Sequence, residues 1–121
     1  MNQGIVYSFD TSALMDAMKR MYPPANFPTL WARIDGLVNY GRLLISEEVK
    51  QETAIHDDEL KDWVEAVAHQ IVVPTDDVVA AEVTRVLTGH ERLVMSMRGR
   101  NRADPFVIAV ARLRGATVVT G

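Results

Sequence analysis

Ile5-Val6-Tyr7-Ser8-Phe9-Asp10-Thr11-Ser12-Ala13-Leu14 runs from a β-forming apolar stretch into a helix start with no linker between them. The first five residues predict a strand over Ile5–Phe9. Asp10, Thr11 and Ser12 are all residue types whose side-chain oxygens cap a helix N-terminus. Leu14, Met18 and Met21 then recur on one helical face, and Pro23-Pro24 closes it, since proline lacks the amide proton and disfavours helix in the residue before it. A strand that turns straight into a helix is the first half of a βαβ unit, so the rest of the chain is expected to supply further parallel strands.

Working outward, the same alternation continues. Pro28 opens a second helix with Leu30, Ile34, Leu37 and Val38 at helical spacing, and Gly41 stops it. Leu43–Ile45 reads as a second strand. Ser46 caps the next helix, where Glu47 and Glu48 suit the positive end of the helix dipole. Another helix begins near Asp57-Asp58, with Leu60, Trp63, Val64 and Val67 forming an i, i+3, i+4, i+7 stripe. Ile71–Val73 is a third short strand. Thr75-Asp76-Asp77 caps a helix with Val79, Val83, Val86 and Leu87 inward. Gly89–Arg102 reads as a loop or frayed helix. Pro105–Arg114 is apolar nearly all round and is expected to be deeply buried; Gly115 stops it, and Thr117–Thr120 is the last strand. The predicted order is βααβααβααβ, an α/β chain forming a single domain over residues 1–121.

The 121 residues suffice for one proper core. A hydrophobic fraction of 48% and a charged fraction of 24% suit a soluble globular protein. No apolar run reaches the roughly 20 residues of a membrane span, and Met1–Tyr7 lacks the pattern of a secretory signal, so no membrane partner is expected. Cysteine is absent, which excludes disulfides and thiolate metal sites and suits the reducing cytoplasm. The net charge of −3 argues against a DNA-coating protein. Its distribution is uneven: the three lysines are Lys19, Lys50 and Lys61, whereas from Arg85 onward the positive charge is all arginine. Arg98, Arg100 and Arg102, in the flexible segment Met95–Arg102, read either as a solvated loop or as contacts to a nucleic-acid backbone.

Three acidic residues stand where chemistry is expected. Asp10 follows the first strand directly, and in open α/β sheets that position faces the ligand crevice beyond the carboxyl ends of the strands; taken alone it reads first as the N-cap of the next helix. Asp104 before Pro105 is a standard helix start, and a capping carboxylate keeps a second oxygen for a cation. Glu52, alone, is a solvated glutamate. Thr11 and Ser12 are placed to orient a carboxylate or a metal-bound water. The histidines His56, His69 and His90 match no ligand spacing and read as surface residues, and no nucleophile elbow, P-loop or G-x-G-x-x-G is present. A receiver domain would need a lysine near the last strand, and a D-x-D phosphatase an aspartate where Ser12 stands.

With these residues in view, the chain resembles the PIN-domain family. Val6–Leu14 is similar to its opening motif, an apolar strand followed by D-T/S-S/N. Ile45–Glu52 is similar to its second motif, ending in a glutamate, and Arg102–Ala111 to its third, D-x-x-I-A-x-A. The match looks closest to PIN-like bacterial proteins similar to the toxins of type II toxin–antitoxin modules. The resemblance implies a three-layer α/β/α, Rossmann-like fold with a short central parallel sheet. It also implies Mg²⁺- or Mn²⁺-dependent cleavage of single-stranded RNA, with Asp10, Glu52 and Asp104 as metal ligands and Thr11 or Ser12 as a supporting hydroxyl. A homodimer held by an antitoxin protein is implied as well. The family usually places another acidic residue, and often another short element, just past the strand that here reads Val118-Val119-Thr120. This chain stops at Gly121, so the resemblance implies a shortened sheet edge, one firmly held metal and weak catalysis. A second expectation, from a different class, is a catalytically weak or inactive PIN-like module that binds a protein partner along that edge.

Overall fold

The computed structural model describes residues 4–21, 25–56, 58–89 and 104–120, apart from the side chains of Arg20, Met21, His56 and Asp104. Strand β1 (Tyr7–Phe9) leads into α1 (Thr11–Met15), which continues as a π-helical stretch, Asp16–Met21. Then follow α2 (Pro28–Asn39), β2 (Leu43–Ser46), α3 (Glu47–His56), α4 (Asp58–Ile71), β3 (Val72–Val73), α5 (Asp77–Gly89), α6 (Asp104–Arg114) and β4 (Thr117–Val119). Among the described residues this is the βααβααβααβ order that the sequence predicts.

The four strands are parallel in the order β3-β2-β1-β4. Registers pair Tyr7 with Leu43 and Thr117, Ser8 with Leu44 and Val118, and Ile45 with Val72. Because successive side chains of a strand point to opposite faces, each strand divides its residues between two cores. Leu43 and Ile45 join Leu14, Met18, Trp31, Val38, Val49, Leu60, Val64 and Ile71 on one face, beneath α1–α4. Leu44 and Val73 join Val79, Val83, Val86, Ala109 and Val110 on the other, beneath α5 and α6. The result is a three-layer α/β/α, Rossmann-like fold. The strand order reverses between β1 and β4, and such a switch point is where open α/β sheets form a ligand crevice.

Local chemistry explains the element ends. Gly41 and Gly115 close α2 and α6 at φ of +69° and +62°, a conformation that costs glycine little. Ser46 Oγ accepts from the Val49 N–H at 3.2 Å, and Asp76 Oδ1 from the Val79 N–H at 2.9 Å, as N-caps do. Between α5 and α6, Glu82 is buried and receives Arg112 at 2.8 Å and Arg85 at 3.3 Å.

Several expectations need correction. β1 begins at Tyr7, not Ile5, which is exposed, and Ile71 ends α4 instead of opening β3. Leu87 is 42% exposed: one position past Val86, it turns off the inward face of α5. α6 is buried at Val107, Ala109, Val110 and Ala111, but its last turn, Arg112-Leu113-Arg114, emerges into solvent. In α2 the buried residues are Trp31 and Val38, while Leu30, Ile34 and Leu37 are half-buried. The last three line an apolar groove of about 670 Å³ whose floor is Tyr7, Phe9 and Val119. Among the described residues no strand pairs with the outer edge of β4. Pro23-Pro24, His90 and the Met95–Arg102 segment lie outside the described residues.

Candidate functional site

Three helices, α1, α3 and α5, directly follow β1, β2 and β3 and so begin at the carboxyl end of the sheet. Asp10 stands at the first such junction. Its backbone N–H donates to Val119 O at 3.0 Å, so the residue is pinned where β1 and β4 part. Its carboxylate Oδ1 accepts from the Ala13 N–H at 2.7 Å, the N-cap bond of α1. Only 3% of the residue is exposed. The capping role and a place at the crevice therefore coexist.

Thr11, also buried, reaches across to α3: its hydroxyl donates to Glu52 Oε1 at 3.0 Å. Glu52 is half-buried on α3 and thus stands beside the Asp10–Thr11 junction, although 41 residues separate Thr11 from it in sequence. Ser12 is half-buried and follows Thr11 into α1. Of the two candidate hydroxyls, Thr11 is the one that holds a carboxylate among the described residues.

Asp104 opens α6, whose first turn is fixed to the central strand: Ser8 Oγ donates to Val107 O at 3.1 Å in a buried bond. That contact sets the start of α6 against β1, two residues before Asp10. The Asp104 side chain is outside the described residues. Among the described residues no group of three His, Asp or Glu side chains is gathered closely enough to hold an ion. What the structure brings together is Glu52 and the Thr11 hydroxyl, one residue past Asp10. Arg98, Arg100 and Arg102 fall outside the described residues, and His69 is exposed on the last turn of α4.

Glu47 and Glu48, expected merely to complement a helix dipole, are engaged. The Thr75 N–H donates to Glu47 Oε1, and the Thr75 hydroxyl lies 3.1 and 3.0 Å from the two oxygens of Glu48. They tie the start of α3 to the loop after β3. Sequence reading passed over Glu82 altogether. The available signal was weak: a glutamate one residue before an inward valine, with the apolar period of α5 on either side.

Among the described residues no helix is long and apolar enough to cross a membrane. A family model described as a domain of unknown function, DUF4411, matches residues 7–121. No curated protein matches the chain.

Proposed function

We propose that this chain, which belongs to the DUF4411 family, is a metal-dependent ribonuclease of the PIN-like kind that cuts single-stranded RNA. The observation that carries this reading is the Thr11 hydroxyl bond to Glu52, which brings a glutamate of α3 to the strand-to-helix junction that holds Asp10 at the strand-order switch point. Asp10 is buried where it caps α1, and Glu52 comes to the same junction from α3. A hard divalent cation would draw oxygen ligands from both helices.

The donor class fits Mg²⁺ or Mn²⁺, which favour oxygen ligands. Asp10, Glu52 and Asp104 would hold such an ion, which when bound supplies charge neutralisation for a phosphodiester and an acidified water. The chain's own residues prepare the ground. The cap bond restrains the Asp10 side chain, and Thr11 fixes which way the Glu52 carboxylate faces. Ser8 sets the first turn of α6, and so the Asp104 backbone, against β1. An unpaired RNA strand enters a crevice more readily than an A-form duplex presents its deep groove. Arg98, Arg100 and Arg102 are the proposed contacts to its phosphates. In this reading the protein is the toxin of a toxin–antitoxin pair, cytoplasmic and homodimeric, restrained by an antitoxin protein.

The decisive experiment compares RNA cleavage in Mn²⁺ for wild type and Asp10→Asn, with and without EDTA. Asparagine caps a helix about as well as aspartate, so α1 survives the change. Cleavage is expected to fall by about a hundredfold or more, as for loss of a charge-stabilising group. Equal cleavage by the variant, or cleavage that persists in EDTA, removes the proposal. One observation favours a second reading, a non-catalytic protein-interaction module: among the described residues an apolar groove floored by Tyr7, Phe9 and Val119 runs beside β4.

A further inference from the structure

At the carboxyl end of the sheet α3 is gripped from two sides. Thr11, after β1, donates its hydroxyl to Glu52 Oε1 at 3.0 Å. Thr75, after β3, places its hydroxyl 3.1 and 3.0 Å from the two oxygens of Glu48, and its N–H donates to Glu47. β1 and β3 flank β2 on opposite edges, and α3 springs directly from β2. Glu48 and Glu52 are i and i+4 on that helix, so they share one of its faces.

Apolar packing sets the rotation of α3 only weakly. Among the described residues Val49 is its one buried hydrophobic side chain, and Ile55 is 80% exposed. Thr53 is buried as well, but its hydroxyl returns to Lys50 O within the helix. Toward α4 a cavity of about 230 Å³ opens between Lys50 and Ala54 of α3 and Lys61 and Val64 of α4. α4, in contrast, buries Leu60, Val64 and Ile71. Side chains reach about 5–6 Å from a helix axis, so a turn of about 10° moves a carboxylate by about 1 Å. That exceeds the margin of roughly 0.2 Å within which metal–ligand distances are held.

We infer that Thr75 is a positioning residue for Glu52: its hydroxyl clasps Glu48, stops α3 from turning, and so keeps the Glu52 carboxylate at the Thr11 hydroxyl. Thr11 acts on Glu52 directly, and Thr75 acts on it through the helix. The use of that placement for a cation rests on the ribonuclease reading above, whereas the placement itself belongs to the metal-free protein.

The test follows the Glu52 carboxyl carbon by NMR in the metal-free protein, assigned with Glu52→Gln, and Mn²⁺ affinity by calorimetry. Thr75→Val removes the hydroxyl at nearly constant shape and keeps the N–H bond to Glu47; Thr75→Ser keeps both. In Thr75→Val the Glu52 resonance is expected to move in the same direction as in Thr11→Val, and Mn²⁺ binding to weaken about threefold to tenfold, at or below the usual effect of losing a group that orients a ligand. Thr75→Ser should restore both. Glu48→Ala should reproduce Thr75→Val, and the double variant should be no worse than either, because both break one tie. Thermal melts of the metal-free variants verify that the fold is kept, and Glu48→Ala carries the same test if Thr75→Val does not fold. A Glu52 resonance that Thr75→Val and Glu48→Ala leave in place overturns the inference, as does a serine variant that behaves like the valine one. A resonance that moves as expected in a protein whose wild type takes up no Mn²⁺ upholds the positioning and removes the ribonuclease reading instead.

Discussion

β2 and β4 lie in one sheet and run in one direction, yet all four residues of β2 are buried while Thr117 and Val118 of β4 are exposed. β2 is flanked by strands on both edges and covered by helices on both faces. The loops at its carboxyl end are tied together by Glu47, Glu48 and Thr75. β4 has one neighbour among the described strands and an open groove on one face. The difference separates two jobs. The β2–β3 half holds the fold, and the β1–β4 half presents surfaces, with Asp10 at the seam between β1 and β4.

Ile45→Ala is the strongest way to probe that contrast. It removes a side chain with no exposed surface and should cost about 2–5 kcal/mol in urea unfolding, whereas Val118→Ala should stay within about 0.5 kcal/mol. Similar losses from the two would erase the distinction. Next, Thr11→Val should weaken Mn²⁺ binding in calorimetry roughly tenfold while leaving the melt of the metal-free protein nearly unchanged, because the hydroxyl orients Glu52 more than it supports the core. Unaltered affinity would leave the Thr11–Glu52 bond a purely structural contact.

A smaller effect is expected at Glu82. Its arginine partners are about half exposed and recover water when the carboxylate goes, so Glu82→Ala should cost only about 1 kcal/mol, less at high salt. A much larger loss would make the α5–α6 contact a second anchor of the fold, equal to β2. Smallest is Gly36→Ala, expected to stabilise by about 0.5–1 kcal/mol, since the helix gains propensity and the Cβ meets open space. Here the sign is the test: destabilisation would mean that the groove wall is already closed.

The order of elements was legible because each strand is a short apolar run punctuated by a cap or a glycine: Asp10 after Phe9, Ser46 after Ile45, and Gly41 and Gly115 at helix ends. Those signals are local and act through a few backbone bonds. Burial was less legible. Leu30, Ile34 and Leu37 have the spacing of a core stripe, but spacing cannot say whether anything stands opposite, and here the layer stops short. Leu87 failed for a related reason, since a period locates a face only to within about one residue. The π-helical stretch Asp16–Met21 left no mark, because Met18 serves an α or a π geometry equally well. At the site, the position of Asp10 follows from the strand-to-helix step. The Thr11–Glu52 bond is a long-range contact that no local pattern encodes, and the roles of Glu47 and Glu48 depend on where Thr75 is brought.

The Ser8–Val107 and Asp10–Val119 hydrogen bonds bear on when the site comes into being. Asp10 leaves a ribosome well ahead of α6 and β4, the segments that fix its surroundings. At roughly 5–20 residues per second the interval is on the order of ten seconds. Over that interval β1 can pair with β2 but has no partner on its other edge, and α6 does not yet exist. A nascent chain therefore carries the Asp10 carboxylate long before the cleft around it is built, so that assembly of the cleft reports the arrival of α6 and β4.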